Sequence, residues 1–168
     1  PRGEGVPNDD TYDFGQGAGF YVDATEQPWS RHFHMREYIE RELPELIAAE
    51  FPADMARQGI TGHSMGGHGA LVTALKDPGR WHSVSAFAPI SNPVAVPWGQ
   101  KAFSRYLGDD RAAWGEWDAS LLMCERPYPG PILVDQGTAD NFLRDQLKPE
   151  LLEEACAGAG IPLTLRRQ

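Results

Sequence analysis

The sequence contains no run of about 18 apolar residues, so it offers no membrane-spanning helix. Basic residues are scarce: 15 Lys and Arg stand against 24 Asp and Glu, a formal net charge of −9. A surface that acidic repels phosphate backbones and argues against nucleic acid as a partner. Cysteine is nearly absent, with Cys124 and Cys156 the two in the chain. They form neither a CxxC pair nor a disulfide framework, which fits a reducing, cytoplasmic setting. Each reads as a small buried hydrophobe or a free thiol. No internal repeat and no low-complexity tract is visible. An initiator methionine and a signal-peptide pattern are also missing. The chain opens Pro1-Arg2-Gly3 and stops at Arg166-Arg167-Gln168 straight after an apolar segment, so both ends are expected to be cuts.

What is present suits one packed domain. The 168 residues are 41% hydrophobic and 23% charged, enough to build a core and too apolar for global disorder. Glycine and proline exceed ordinary usage without any period, which signals many turns. Residues 1–30 read as loop, anchored by Phe14, Phe20, Tyr21 and Val22. Met35, Tyr38, Ile39, Leu43, Leu46 and Ile47 recur at helical spacing over residues 31–50, where Pro44 predicts a kink or two short helices. A strand over 57–61 leads into a helix over 66–76, and a second strand covers 81–88. Residues 91–130 read as irregular, with helical pieces near 99–107 and 111–114. A third strand (131–136), a helix (147–157) and a fourth strand (161–165) follow. Strands alternating with helices predict an α/β fold with a mainly parallel sheet.

The segment Gly62-His63-Ser64-Met65-Gly66 is a G-x-S-x-G sequence between the first strand and the helix after it. A serine hydroxyl is a weak nucleophile and must be exposed beside a base. A sharp strand-to-helix turn lifts it clear of the sheet, and such a turn is expected to crowd both flanking glycines. The helix start then aims N–H groups at developing negative charge. Ser64 is therefore the candidate nucleophile, and the Met65 amide a candidate oxyanion donor. His63, beside the nucleophile, is expected to line the substrate pocket. The acid should follow a later strand, and Asp140, in the loop Gly137-Thr138-Ala139-Asp140, fits. Asp135 is its rival and Asp118 a distant third.

The base is the gap. His32, His34, His63, His68 and His82 all precede the acid, whereas a histidine is expected after the fourth strand. His68 lies on the helix after the turn and is a poor candidate. Other features carry less. Gly15-Gln16-Gly17-Ala18-Gly19-Phe20 lacks the final glycine and the preceding strand of a nucleotide loop. His32-x-His34 lacks the i,i+4 spacing of helical metal ligands, and no metal or cofactor is implied. Glu150, Glu153 and Glu154 read as a solvated helix face, and Trp81, Trp114 and Trp117 as core.

At Gly62-His63-Ser64-Met65-Gly66-Gly67-His68-Gly69-Ala70-Leu71 the sequence resembles the S-formylglutathione hydrolases, the esterase D family. Asp13-Phe14-Gly15 with Gly17–Thr25, Ser85–Ile90 with Pro97–Phe103, and Asp135-Gln136-Gly137 with Asp140, Phe142 and Leu143 extend the resemblance nearly end to end. It implies an α/β-hydrolase fold and a cytoplasmic serine thioesterase of formaldehyde detoxification. Such an enzyme cleaves S-formylglutathione to formate and glutathione and also takes short carboxylesters. Ser64 then matches the nucleophile, Asp140 the triad acid and Met65 the oxyanion amide. Trp98 matches a tryptophan on the acyl side of the pocket, whose bulk would favour small acyl groups.

Against that family the chain reads as one α/β-hydrolase domain, residues 1–168, partial and truncated at both ends, holding the C-terminal half of the sheet with its helices. The histidine is expected beyond Gln168. The first strand is expected to expose a flat apolar edge that another chain, for example in a homodimer, would cover. The competing reading is a fragment that folds without turnover, or an esterase of the same fold acting on other small acyl esters.

Overall fold

The computed structural model describes residues 2–126 and 128–168. Four strands form one parallel sheet in the order β1 (Gln58–His63), β2 (Trp81–Phe87), β3 (Ile132–Gln136), β4 (Leu163–Arg167). The helices are α1 (Met35–Glu37), α2 (Leu43–Glu50), α3 (Met65–Lys76), α4 (Pro97–Tyr106), α5 (Arg111–Gly115), α6 (Ala119–Glu125) and α7 (Pro149–Ala159). Each parallel neighbour is reached by a helical crossover, as parallel pairing demands. The predicted α/β alternation is observed. The strands lie one or two residues from their expected limits, and β1 runs through Gly62 to His63.

Two apolar clusters hold the sheet and its coverings. In one, Leu71 and Leu75 of α3, Leu122 and Met123 of α6, and Leu152 and Cys156 of α7 pack on Val84, Ala86, Ile132 and Val134 of the central strands. In the other, the N-terminal segment buries Phe14, Phe20, Val22 and Phe33 against Phe103 and Tyr106 of α4. Tyr106 stacks on Phe14 at 4.5 Å and on Phe33 at 5.3 Å. Its hydroxyl accepts from the Gly15 N–H and donates to the Ala18 carbonyl, both at 3.0 Å. A phenol so buried keeps its proton far above the ordinary range. The Gly15–Phe20 segment is thus pinned core structure, with nothing of a nucleotide loop about it.

Pro44 falls in the first turn of α2, and the segment forms two short α-helices, one of the two outcomes expected of it. A π-turn over Tyr38–Glu42 joins α1 to α2 and absorbs the proline. Pro44 has no N–H to give the Glu40 carbonyl four residues back. The Arg80 Nη1 donates to that carbonyl instead, at 2.5 Å.

Residues 91–130 are more regular than expected. Helix α6, absent from the sequence reading, starts at Asp118, whose Oδ1 accepts from the Leu121 N–H at 3.1 Å while Oδ2 accepts from the Val94 N–H at 3.0 Å. The expected apolar edge also needs correction. β1 reads Gln-Gly-Ile-Thr-Gly-His, with Ile60 its one large apolar side chain, and that is half-buried against the first cluster. Among the described residues no helix is long and apolar enough to cross a membrane.

Candidate active site

The candidate residues gather at the C-terminal rim of the sheet, the usual place for ligands in parallel α/β folds. Ser64 sits between β1 and α3 with φ +55° and ψ −118°, a conformation that L-residues adopt only under constraint. The constraint is visible. The Ser64 N–H donates to the Phe87 carbonyl at 2.8 Å, and the Ser64 carbonyl accepts from the His68 N–H at 3.0 Å and the Ile90 N–H at 3.3 Å. The turn is thereby tied to the end of β2 and to the first turn of α3. Met65 opens α3, so its N–H has no carbonyl within the helix to bond.

The two flanking glycines do different work. A Cβ on Gly62 would lie 2.1 Å from the Gly66 carbonyl oxygen and 2.8 Å from the Gly67 nitrogen. A Cβ on Gly66 would meet only Tyr21, at 3.6 Å, an ordinary contact. The expectation that both positions are crowded therefore holds for Gly62 alone. Gly69, one turn into α3, is tight too: the Tyr21 ring lies where its side chain would be, 2.5 Å away.

Asp140 lies four residues past the end of β3 in the loop predicted for it. Its Oδ1 accepts from the Phe142 N–H at 2.8 Å, an Asx turn that aims the carboxylate. Ser64 and Asp140 border one cavity of about 510 Å³, together with His63, Trp98 and Phe142. A second cavity of about 160 Å³ also opens at Ser64, bordered by Met65, Phe20, Ile90 and Trp98. Trp98 borders both. Its N–H donates to Gln146 Oε1 at 3.1 Å, and its ring centre lies 4.7 Å from that of Phe142 and 6.2 Å from that of Tyr12.

The rival acids are engaged elsewhere. Asp135 accepts from Arg166 Nε at 2.6 Å and from Gln168 at 3.2 Å, and the Arg166 hydrogen bonds hold its carboxyl below the usual range. Asp118 is wholly buried at the start of α6, and burial pushes its pKa up to about 6. His68 is fully buried between Phe20 and Phe103, and burial brings its pKa down to about 4. Neither ring nitrogen has a hydrogen-bond partner among the described residues. It cannot serve Ser64 as a base. His34 is bonded to the Ser30 carbonyl at 2.7 Å. His82 sits near the start of β2, at the far end from the site.

Trp98 and His63 border the cleft with Ser64 and Asp140. The sequence reading missed Tyr12 and Gln146 and gave Phe142 no role in the site. Glutamine 146 carried no signal, because its role is a bond to a backbone amide 48 positions away.

A strained serine between a parallel strand and a helix, on one cavity with a carboxylate that follows a later strand, marks the α/β-hydrolase class of fold. The family model for esterases matches residues 1–167, and the chain belongs to that family. It is 60% identical over all 168 residues to the S-formylglutathione hydrolase of Paracoccus denitrificans. It superposes on the S-formylglutathione hydrolase of Agrobacterium tumefaciens with a TM-score of 0.97 at 52% identity over its whole length. The fluorophosphonate-binding serine hydrolase FphF of Staphylococcus aureus shares the fold, with a TM-score of 0.70 at 18% identity over 89% of this chain and 59% of that one. The chain spans 60% of the Paracoccus relative and 61% of the Agrobacterium one.

Proposed function

We propose that these residues carry the nucleophile and acid of a serine thioesterase that hydrolyses S-formylglutathione to formate and glutathione. The observation that carries the chemistry is the Ser64 elbow opening on the same cavity as Asp140. The substrate follows from the likeness to the Paracoccus and Agrobacterium enzymes. Ser64 Oγ attacks the formyl carbon, and the Met65 N–H stabilises the oxyanion that forms. The carbon–sulfur bond breaks, glutathione leaves as the thiol, and a formyl-serine ester remains. Water then attacks that ester, releasing formate and restoring the hydroxyl. The 160 Å³ compartment beside Met65 takes the acyl group in this reading, and the bulk of Trp98 on its border favours small ones. Short carboxylesters are therefore secondary substrates, and the setting is the cytoplasm, where formaldehyde is removed.

Among the described residues no histidine is placed to act as general base between Ser64 and Asp140. His63 borders the cavity, but it is the covalent neighbour of Ser64, and successive side chains around a strand end point apart. For residues 1–168 by themselves this favours the second reading, substrate binding with only residual turnover.

Incubating the whole protein with S-formylglutathione and following formate and free thiol tests the proposal. Ser64→Ala lowers the rate by about three orders of magnitude or more. Equal rates in the two proteins, or ester hydrolysis without any on S-formylglutathione, overturn it.

A further inference from the structure

One wall of the cleft has no part in the chemistry above. Tyr12 borders both cavities at Ser64 and is 78% exposed. A ring left that open adds little to folding. Yet the backbone on either side of it is held. Lys101 Nζ donates to Thr11 Oγ1 at 2.8 Å and to Asp13 Oδ1 at 2.6 Å, so the residues flanking Tyr12 hang on one ammonium group. Phe14, the next residue, is buried in the aromatic cluster. Lys101 lies on α4 one turn after Trp98, and the Trp98 ring meets Tyr12 edge-on. A single helical turn therefore supplies both the anchor of Tyr12 and its ring partner. Phe142, 47% exposed, also packs on the Trp98 ring, the ring centres 4.7 Å apart. Three rings from three separate segments border the 510 Å³ cavity that Ser64 also borders.

We propose that Tyr12 is a specificity-determining residue that binds the leaving group of the thioester, the peptide of the departing thiol, against Trp98 and Phe142. This rests on the thioesterase reading of Ser64. Proton delivery sets the side. The base oriented by Asp140 takes the Ser64 proton and hands it to the departing thiolate, so the leaving group is placed in the 510 Å³ cavity that Asp140 borders. A formyl group, two heavy atoms, needs only the smaller compartment. Peptide planes stack on ring faces, and the Tyr12 hydroxyl can donate to a carbonyl or a carboxylate at the rim.

Calorimetric titration with S-methylglutathione, an unreactive thioether of the same thiol, tests this alongside thermal unfolding. Tyr12→Ala weakens binding by roughly three- to tenfold, the worth of one aromatic contact, while the melting temperature stays at the wild-type value. Tyr12→Phe retains the ring and stays within about twofold of wild type, since stacking and not the hydroxyl supplies most of the contact. If the wild type binds and Tyr12→Ala binds equally well, the proposal fails and the thioesterase reading stands. A lower melting temperature for Tyr12→Ala that accounts for the weaker binding makes the residue structural and also overturns the proposal. Absence of binding by the wild type removes both.

Discussion

Gly62 is pressed against the carbonyl of Gly66, and the contact is one-sided: the hydrogen that needs room is on Gly62. The sharp bend at Ser64 thus depends on the first glycine of the motif far more than on the second. Gly62→Ala is expected to open the bend, lowering the melting temperature and abolishing fluorophosphonate labelling of Ser64 in the whole protein. Gly66→Ala is expected to be tolerated or to stabilise α3 by up to about 1 kcal/mol, the helix-propensity difference between the two residues. Equal damage from both would show that the crowding is misassigned.

Asp140 and Asp135 provide a paired test of the acid. Asp140→Asn keeps an oxygen for the Phe142 N–H but loses the charge that orients a base, so turnover by the whole protein falls by about four orders of magnitude. Asp135→Asn loosens the contact with Arg166 at the end of the sheet and leaves turnover near wild type. Steady-state kinetics on the two variants decides between them.

Two buried ionisable groups pull stability in opposite directions with pH. Asp118, raised to about 6, holds a proton that the unfolded chain has released, so its contribution grows as pH falls from about 6 towards 4. His68, lowered to about 4, refuses a proton that the unfolded chain takes, so its contribution is lost as pH falls from about 6.5 towards 4. In the wild type the two nearly cancel over that range. His68→Phe should gain stability relative to wild type on going from pH 6 to 4, by about 2 kcal/mol. Asp118→Asn should show the opposite trend. Urea unfolding midpoints at several pH values read both.

The Arg80–Glu40 contact predicts a coupling. Arg80→Met leaves the Glu40 carbonyl without its donor and costs about 1–3 kcal/mol. Pro44→Ala restores a backbone N–H four residues on, so in that background the Arg80 substitution should cost less. A double-mutant cycle by thermal unfolding measures the difference.

The strand–turn–helix around Ser64 was legible because its signals are local: glycines at fixed offsets, a short strand before and a helix after. The loop bearing Asp140 was legible for the same reason, lying just past a short run of Ile, Leu and Val. Helix α6 was not. It is seven residues long, too short for periodicity to declare itself, and its start rests on a buried Asp118 that also serves Val94. The π-turn before Pro44 was equally hidden, since its support comes from Arg80, 40 positions away. Tyr12 reads as an ordinary loop aromatic until Lys101 is seen holding both its neighbours. What the sequence hid is what distant side chains impose.

The bond from the Trp98 amide to Gln146 couples two duties that an engineer would want apart. Gln146 closes the turn that follows Asp140, so helix α4 and the loop bearing the Asp140 carboxylate are tethered to each other. Variants selected for broader acyl tolerance at α4 will carry a speed penalty along with them, and second-site recovery should concentrate at position 146 rather than around the serine.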